Sequence, residues 1–337
     1  MSIEFKDIVG QKRLKLWIQQ VIKNDEIGHA YAFSADDGMG KMTIAKVFAK
    51  MLLCTDIQEV NGLQNQQGPI EACGKCRSCK TFESGANPDF YYLQKEKINI
   101  GVDDVRILQK NVSVSTMYSK RKVYIIPEAE LLTQQAQNAL LKIIEEPPVE
   151  IVILMLTRNF EMFLQTIQSR VVKKELEKYS KEDIEKYIES RYNEKHRLRF
   201  IVKIADGNIG FARKLIEEED FTLLRESVFD VVMDVLERKN GSNMTLLNLL
   251  EENKEKYKYV FSLMKMIFRD LLIINDEGLE NILFNIDKKD VLSSKSDFLE
   301  KDMIIKWIDI LQKVEDGLKK NANFSLAMEY LTMELAL

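Results

Sequence analysis

Short apolar runs alternate with helical patterns over the first half of the chain. The runs that predict strands are "AYAFS" (30–34), "DFYYL" (89–93), "KVYII" (122–126) and "IVILML" (151–156). Three segments with apolar residues at helical spacing lie between or after them, namely "MTIAKVFAKMLLC", "VDDVRILQKNV" and "TQQAQNALLKIIEE". Strands that are apolar throughout are buried on both faces, and strands joined by helices form parallel sheets. We therefore predict an α/β layer fold whose ligand-binding loops follow the carboxyl ends of the strands.

The pattern changes after about residue 175. The segment "SKEDIEKYIESRY" predicts a helix that Ser180 caps. From there to residue 337 the periodicity is helical, with almost no strand pattern. A purely helical part is therefore predicted to follow the α/β part.

Composition and charge indicate a globular chain rather than a membrane-spanning or strongly basic one. Of the 337 residues, 45% are hydrophobic and 30% are charged, which is an ordinary globular mixture. The net charge of -4 argues against a field that draws the whole chain to nucleic acid, although a local basic patch stays open. The longest apolar run is too short for a bilayer and the amino terminus lacks a signal-peptide pattern, so we expect a cytoplasmic protein without a membrane partner.

The loop "ADDGMGKMT" (35–43) stands between a predicted strand and a predicted helix, as a Walker A phosphate-binding loop does. Ala35 replaces the first glycine of that motif, and Met42 replaces the hydroxyl residue that binds Mg²⁺. Thr43 has the right chemistry but comes one residue late. Residues that could still contact a phosphate are Gly38, Gly40, Lys41 and Thr43. A degenerate nucleotide site is favoured over a chance Gly-Lys pair.

The segment after the third predicted strand is a second place where an ATP-hydrolysing site would hold Mg²⁺. The strand "KVYII" is followed by "PEAELL", where a Walker B motif would place acidic residues. Glu128 could polarise an attacking water, but the metal-facing position is Pro127, which has no side-chain oxygen. Two positions that support Mg²⁺ are thus replaced together, and the sequence predicts no ATP hydrolysis by this chain.

The four cysteines have the spacing of a metal site. Cys73, Cys76 and Cys79 form C-x₂-C-x₂-C, and Cys54 lies upstream. Disulfides are not expected in a cytoplasmic protein, and four thiolates fit tetrahedral Zn²⁺. An iron–sulfur cluster is the first alternative, although its usual Cys-Pro partner is missing, and free thiols are the second. We predict a structural zinc module at about residues 54–80.

One arginine follows the last apolar run. Arg170, in "TIQSRV" (166–171), would by itself be an ordinary surface cation. Next to a nucleotide-type fold it could instead reach into the site of a neighbouring subunit and stabilise a transferring phosphate, as arginine fingers do.

Together these segments resemble the bacterial clamp-loader subunits of DNA polymerase III, the γ/τ and δ′ proteins of the AAA+ superfamily. "DIVGQ", "GHAYAFS", the cysteine module, "LLTQQAQNALLKIIEEPP" and "SR" occur here in family order over the first 220 residues or so. The C-terminal "NANFSLAMEYL" is similar, more weakly, to the end of δ′ chains. The resemblance implies an AAA+ P-loop-type α/β domain over 1–176 with the zinc module inserted, a helical lid over 177–221, and an all-α collar over 222–337 that mediates oligomerisation.

The departures from the family pattern favour one type of subunit. The γ/τ motor carries complete Walker motifs and a lid arginine at the position of Gly210, with Arg213 three residues later here. Thr157 occupies the place of the family's polar phosphate sensor, and Ser169 and Arg170 keep the finger motif. The resemblance therefore implies a non-hydrolysing δ′ subunit whose Arg170, oriented by Ser169, completes the site of a γ/τ neighbour.

The same resemblance implies a set of partners. They are γ/τ and δ in a hetero-pentamer, the β sliding clamp indirectly, and primer-template DNA through the assembled complex. Two other functions stay open. One is an active γ/τ-type ATPase in which Thr43 supplies the missing hydroxyl. The other is a zinc-dependent nucleic-acid-binding module that forms no ring.

Overall fold

The computed structural model describes residues 4–5, 8–57, 70–93, 99–112, 114–147, 150–192, 197–275, 282–296, 299–320 and 322–336. The chain divides into two compact units, Met1–Asp183 and Ile184–Leu337. Part of the predicted zinc module, residues 58–69, lies outside the described residues.

The first unit is built on a parallel sheet of five strands. The strands are β1 (Ala30–Ser34), β2 (Phe90–Tyr92), β3 (Lys122–Ile126), β4 (Ile151–Thr157) and β5 (Val172–Glu175). Their spatial order is β2-β3-β4-β1-β5, and every pair is parallel. Every residue of β1, β3 and β4 is buried, as their apolar sequences predict. The predicted parallel α/β fold is confirmed.

Helices cover this sheet. They are α1 (Lys12–Asn24), α2 (Lys41–Leu53), α3 (Arg77–Glu83), α4 (Val102–Val112), α5 (Gln134–Glu145) and α6 (Gln165–Gln168). The apolar faces of α4 and α5 join the strands in one core, to which Val105, Leu108 and Leu140 contribute. The Thr133 hydroxyl accepts a hydrogen bond from the Ala136 N–H at 3.2 Å and caps α5, as predicted.

The described residues of the second unit form helices joined by turns and loops, and no strand occurs among them. Its helices are α7 (Lys181–Arg191, which begins before the boundary), α8 (Leu198–Ala205), α9 (Ile209–Glu217), α10 (Glu219–Leu236), α11 (Ser242–Glu252), α12 (Tyr257–Ile273), α13 (Lys289–Ser296), α14 (Lys301–Lys319) and α15 (Phe324–Ala336). Phe211, Phe221 and Tyr259 pack edge to face between α9, α10 and α12. The predicted division after residue 221 falls inside α10, so the separation of lid and collar stays a prediction.

No helix in the described part of the chain has both the length and the apolar character that a membrane crossing needs.

Candidate functional site

The loop between β1 and α2 has a backbone that requires glycine at two positions. Gly38 and Gly40 have φ of 80° and 84°, in the left-handed region that side chains disfavour. At Gly40 a Cβ would also lie 3.1 Å from the Tyr179 hydroxyl. The position of that hydroxyl is fixed by a hydrogen bond, which it donates to the Met39 carbonyl at 3.1 Å. The loop leads directly into the amino terminus of α2, whose first N–H groups can face an anion.

The Lys41 ammonium is held by its own loop. Its Nζ donates to the carbonyl oxygens of Ala35 at 2.5 Å and of Asp36 at 3.0 Å. It also lies 3.6 Å from Oδ1 of Asp37. Burial lowers the pKa of Lys41, and the nearby carboxylates of Asp37 and Glu130 oppose that shift. The cation that would meet a phosphate is therefore already in contact with oxygen atoms of this chain.

A second cation extends these contacts into a charge network. Arg158 places Nε 3.2 Å from Oδ1 of Asp37 and 3.4 Å from Oε1 of Glu130. Its backbone N–H donates to Oε2 of Glu130 at 3.3 Å. Asp37 thus contacts two cations, Lys41 and Arg158. We call these four residues the loop charge network.

Sequence reasoning missed Arg158 and Glu130. The available signal was their position, because Arg158 directly follows β4 and Glu130 lies shortly after β3. Since β4 lies between β1 and β3 in the sheet, the loops after these three strands meet at one edge.

The other predicted residues of the nucleotide site lie at the same edge. Glu128 follows Pro127 after β3 and has left-handed backbone angles, φ 45° and ψ 46°. Thr43 lies in the first turn of α2 and is half-buried. Their roles at a nucleotide stay predictions, and the two carboxylates that act on the pKa of Lys41 belong to Asp37 and Glu130.

Thr157, at the end of β4, is fully buried. Its hydroxyl donates to the Asn159 carbonyl and accepts from the Asn159 N–H, both at 3.1 Å. Its own carbonyl accepts from the Ala35 N–H at 3.1 Å. Thr157 therefore joins the start of the phosphate-type loop to β4 and shapes the turn that leads to Arg158.

The four cysteines converge in a second group. The sulfur atoms of Cys54, Cys73, Cys76 and Cys79 lie within 4.8 Å of one another. Cys54 directly follows α2 as its C-cap, and Cys76 caps α3 with its sulfur accepting from the Cys79 N–H at 3.3 Å. The two elements thus bring together residues that are far apart in sequence.

The chemistry of this group fits a thiolate-bound metal ion. The backbone N–H groups of Cys73 and Cys76 donate to the sulfur atoms of Cys54 and Cys73, respectively, at 3.3 Å. Such bonds favour a thiolate, but at Cys73 burial prevails and raises the pKa of the thiol. A hydrogen bond from the Cys79 thiol lowers the pKa of Cys54 to about 5, and the same bond raises the pKa of Cys79. Four sulfur donors within this distance can hold one tetrahedral ion. The Asp56 carboxylate also lies close, 3.8 Å from Cys73 Sγ.

The predicted finger residues form a third group, at the end of α6. Arg170 places Nε 2.8 Å from Oε1 of Glu145, and its Nη1 donates to the Thr166 carbonyl at 3.1 Å. The same Nη1 donates to the Ser169 hydroxyl at 3.2 Å, while that hydroxyl donates to the Thr166 carbonyl at 3.1 Å. Ser169 therefore does contact the guanidinium, and 44% of the Arg170 side chain is exposed.

Known proteins resemble this chain over most of its length. The delta' subunit of DNA polymerase III from Bacillus subtilis is 26% identical, with 99% of both chains covered. The tau subunit of the same organism is 28% identical over 94% of this chain, which spans only 58% of the tau subunit's length. The gamma subunit-related protein of Thermotoga maritima aligns with a TM-score of 0.42 and 18% identity, covering 95% of this chain and 98% of that one.

Residues 10–180, more than half of the chain, match the profile of the family described as "DNA polymerase III, delta subunit". This segment includes the phosphate-type loop, the cysteine group and Arg170. The chain therefore belongs to the DNA polymerase III delta-subunit family of AAA+ clamp-loader proteins.

Proposed function

We propose that this chain is the δ′-type subunit of a clamp loader, which does not hydrolyse ATP itself and completes the ATP site of a γ/τ neighbour. The observation that carries the proposal is the loop charge network. Asp37 and the loop carbonyls satisfy Lys41, and Asp37 and Glu130 satisfy Arg158. A nucleotide phosphate would have to displace these contacts, because the partly buried Lys41 ammonium cannot serve both the loop and a ligand fully.

The residues that would hold Mg²⁺ support the same proposal. Met42 and Pro127 stand at the two positions where a working site has a hydroxyl and a carboxylate. The similarity to the delta' subunit of Bacillus subtilis over the full length of both chains is consistent with this assignment.

Arg170 has the chemistry of a group that acts on a neighbour. A guanidinium stays charged at every physiological pH and matches phosphate oxygens with two parallel hydrogen bonds. Arg170 lies just after the short helix α6, and its side chain is partly exposed. Another subunit could therefore reach it. In the proposed mechanism Arg170 stabilises charge on the phosphate that the neighbour transfers to water, and Ser169 orients the guanidinium.

The proposed partners follow from this role. They are γ/τ and δ in a hetero-pentamer that opens the β sliding clamp and places it on primed DNA in the cytoplasm. The C-terminal helices would form the collar that joins the subunits. A γ/τ-type motor is the second candidate, because the tau subunit of Bacillus subtilis is slightly more identical than delta'.

Steady-state ATPase measurements decide between these candidates. The chain would be assayed alone, and then mixed with γ/τ, δ, clamp and primed DNA. We expect no turnover by the chain alone, and a loss of turnover in the mixture when Arg170→Ala replaces the wild type. Arg106→Ala is a matched control, since Arg106 also pairs with a carboxylate, Asp103, at 2.9 Å. Hydrolysis by the chain alone, abolished by Lys41→Ala, would make it a motor.

We also propose that the cysteine group holds a structural Zn²⁺. Four sulfur ligands without a free position suit a structural rather than a catalytic ion. Elemental analysis of the purified protein should give about one zinc per chain. Iron with visible absorption would support the iron–sulfur alternative, and metal-free protein with four titratable thiols would support free cysteines.

A further inference from the structure

We propose that the zinc module and the loop packed beside it bind the phosphates of a single-stranded nucleic acid. The residues involved are Lys75, Arg77, Lys80, Tyr118 and Lys120, which we call the module surface. This site goes beyond the proposed function, since it depends neither on Arg170 nor on the loop charge network.

The first observation is a concentration of free positive charge. Lys75, Arg77 and Lys80 lie in one six-residue stretch of the zinc module, 75–80, and all three are exposed. Within the described part of the chain, none of them forms an ion pair, and neither does the exposed Lys120. Arg121 and Lys50 of the same unit are paired with carboxylates. Exposed lysines without an ion pair also occur elsewhere among the described residues of this unit, as at Lys12, Lys23 and Lys46, but these are scattered along α1 and α2, whereas the module cations fall in one short segment and its neighbouring loop. In a chain of net charge -4, such a cluster favours a polyanionic ligand.

The second observation is a stacked arginine. The Arg77 guanidinium lies 4.2 Å from the centre of the Tyr118 ring. The Tyr118 ring covers one face of the guanidinium. The N–H groups at the edge of the guanidinium stay available, because they donate to no acceptor among the described residues. These planar donors suit the oxygens of a phosphodiester. Met117, which precedes Tyr118 in the sequence, is 68% exposed and adds apolar surface for an unpaired base.

The third observation is that the two parts of this surface are tied together. The buried carboxylate of Asp89 accepts the N–H groups of Met117, Tyr118 and Ser119 at 2.7–2.8 Å. The Ser119 hydroxyl lies 2.9 Å from the hydroxyl of Ser78 in α3. The loop is thereby fixed against the zinc module, so little conformational entropy is lost when a ligand binds.

A purely structural role for the cations is the main alternative. Four thiolates around Zn²⁺ carry a net negative charge, and nearby lysines would offset it. That role accounts for Lys75 and Lys80 but gives no reason for the stacked Arg77–Tyr118 pair or for Lys120 on the neighbouring loop. An acidic peptide is a different ligand for the same charge, and the experiment includes it.

The test is fluorescence anisotropy with the full-length, zinc-loaded chain and a labelled oligothymidylate of about 20 nucleotides. The variant Lys75→Gln/Arg77→Gln/Lys80→Gln is compared with Lys12→Gln/Lys23→Gln/Lys46→Gln. The control lysines lie on α1 and α2, are exposed, and form no ion pair among the described residues. Both variants change the net charge equally.

We expect the module-surface variant to bind at least about tenfold more weakly, while the control stays within about twofold of wild type. The slope of log affinity against log salt should become less negative by about 2, since each phosphate that a cation neutralises on a single strand accounts for about 0.7. Tyr118→Leu and Lys120→Gln change residues outside the cysteine segment. They should weaken binding several-fold with the zinc content unchanged, which keeps the test valid if the triple variant loses metal.

Several results would overturn the proposal. Equal weakening by both triple variants would mean that only the overall charge matters. Unchanged affinity in the module-surface variant, with the zinc released, would leave the cations a purely structural role. Failure of the wild type to bind the oligothymidylate would also exclude the site, and binding of a labelled oligoglutamate instead would make it a protein-docking surface.

Discussion

Arg170 and Glu145 form an ion pair in which Nε and Oε1 lie 2.8 Å apart, and each side chain is 44% exposed. Glu145 is the last residue of α5, and Arg170 follows α6. Pairs this exposed to water contribute at most about 1 kcal/mol. The guanidinium can therefore exchange Glu145 for another anion at a small free-energy cost, as the role proposed for Arg170 requires.

The first prediction concerns this pair. Glu145→Gln removes the carboxylate that competes with the phosphate, so turnover by the assembled complex should rise by no more than about fivefold, the equivalent of about 1 kcal/mol. Glu146→Gln changes the neighbouring exposed residue and should have no effect. A decrease similar to that of Arg170→Ala would instead mean that Glu145 orients the arginine for catalysis.

The second prediction concerns the phosphate-type loop. Asp37→Asn removes the negative charge that contacts both Lys41 and Arg158, and should raise the affinity for a fluorescent ATP analogue by about two- to fivefold. The effect is modest because 64% of the Asp37 side chain is exposed. Asp36→Asn is the control, since Asp36 contacts Lys41 through its backbone carbonyl. Equal affinities in the two variants would contradict a role for Asp37 in blocking the loop.

The third prediction concerns the metal. Chelation should lower the melting temperature of the protein by about 5 °C or more, because four converging thiolates lose the ion that offsets their repulsion. Adding back Zn²⁺ should restore the melting temperature, and Cys73→Ser should lower the melting temperature to a similar extent without chelator. Differential scanning calorimetry measures all three, and an unchanged melting temperature after verified metal removal would exclude a stabilising metal.

The fourth prediction concerns a buried ion pair in the helical unit. Arg225 donates to both carboxylate oxygens of Asp287, at 2.7 and 2.9 Å, and only 5% of its side chain is exposed. Asp287→Asn should lower the free energy of unfolding at pH 7 by about 2 kcal/mol, less than for a fully buried pair because Asp287 is one-third exposed. Urea unfolding measures the change, and Asp309→Asn on an exposed helix face is the control.

The same pair has a defined pH dependence. Burial opposes ionisation of Asp287, but the hydrogen bonds and charge of Arg225 prevail and hold the pKa of Asp287 below its ordinary value. Its stabilising contribution is therefore present above the ordinary pKa of an aspartate, about 4, and is lost as the pH falls through the lower folded-state pKa. The difference between wild type and Asp287→Asn should shrink at acidic pH, and a constant difference would contradict this assignment.

Features that depend on near neighbours in sequence were predictable. The bounds of β1 and β3 equal the predicted runs, since a strand buried on both faces is apolar at most of its positions. The exceptions are Ser34 and Lys122, which are buried at strand ends. The Thr133 cap follows from the adjacent helical pattern, and the Cys73, Cys76 and Cys79 spacing from the turns that bring their sulfur atoms together. The resemblance of the loop at 35–43 to a phosphate-binding motif was visible because that motif is contiguous.

The tertiary structure alone decided the features that join distant segments. β5 has no apolar pattern because it lies at the sheet edge, where Val172 is 42% exposed, so burial placed no demand on its sequence. The loop charge network unites Asp37, Glu130 and Arg158 from loops after three strands, and the Arg170–Glu145 pair joins two helices. Periodicity reports which face of an element is buried. The order in which strands and helices pack, which no local pattern encodes, determines which polar side chains meet.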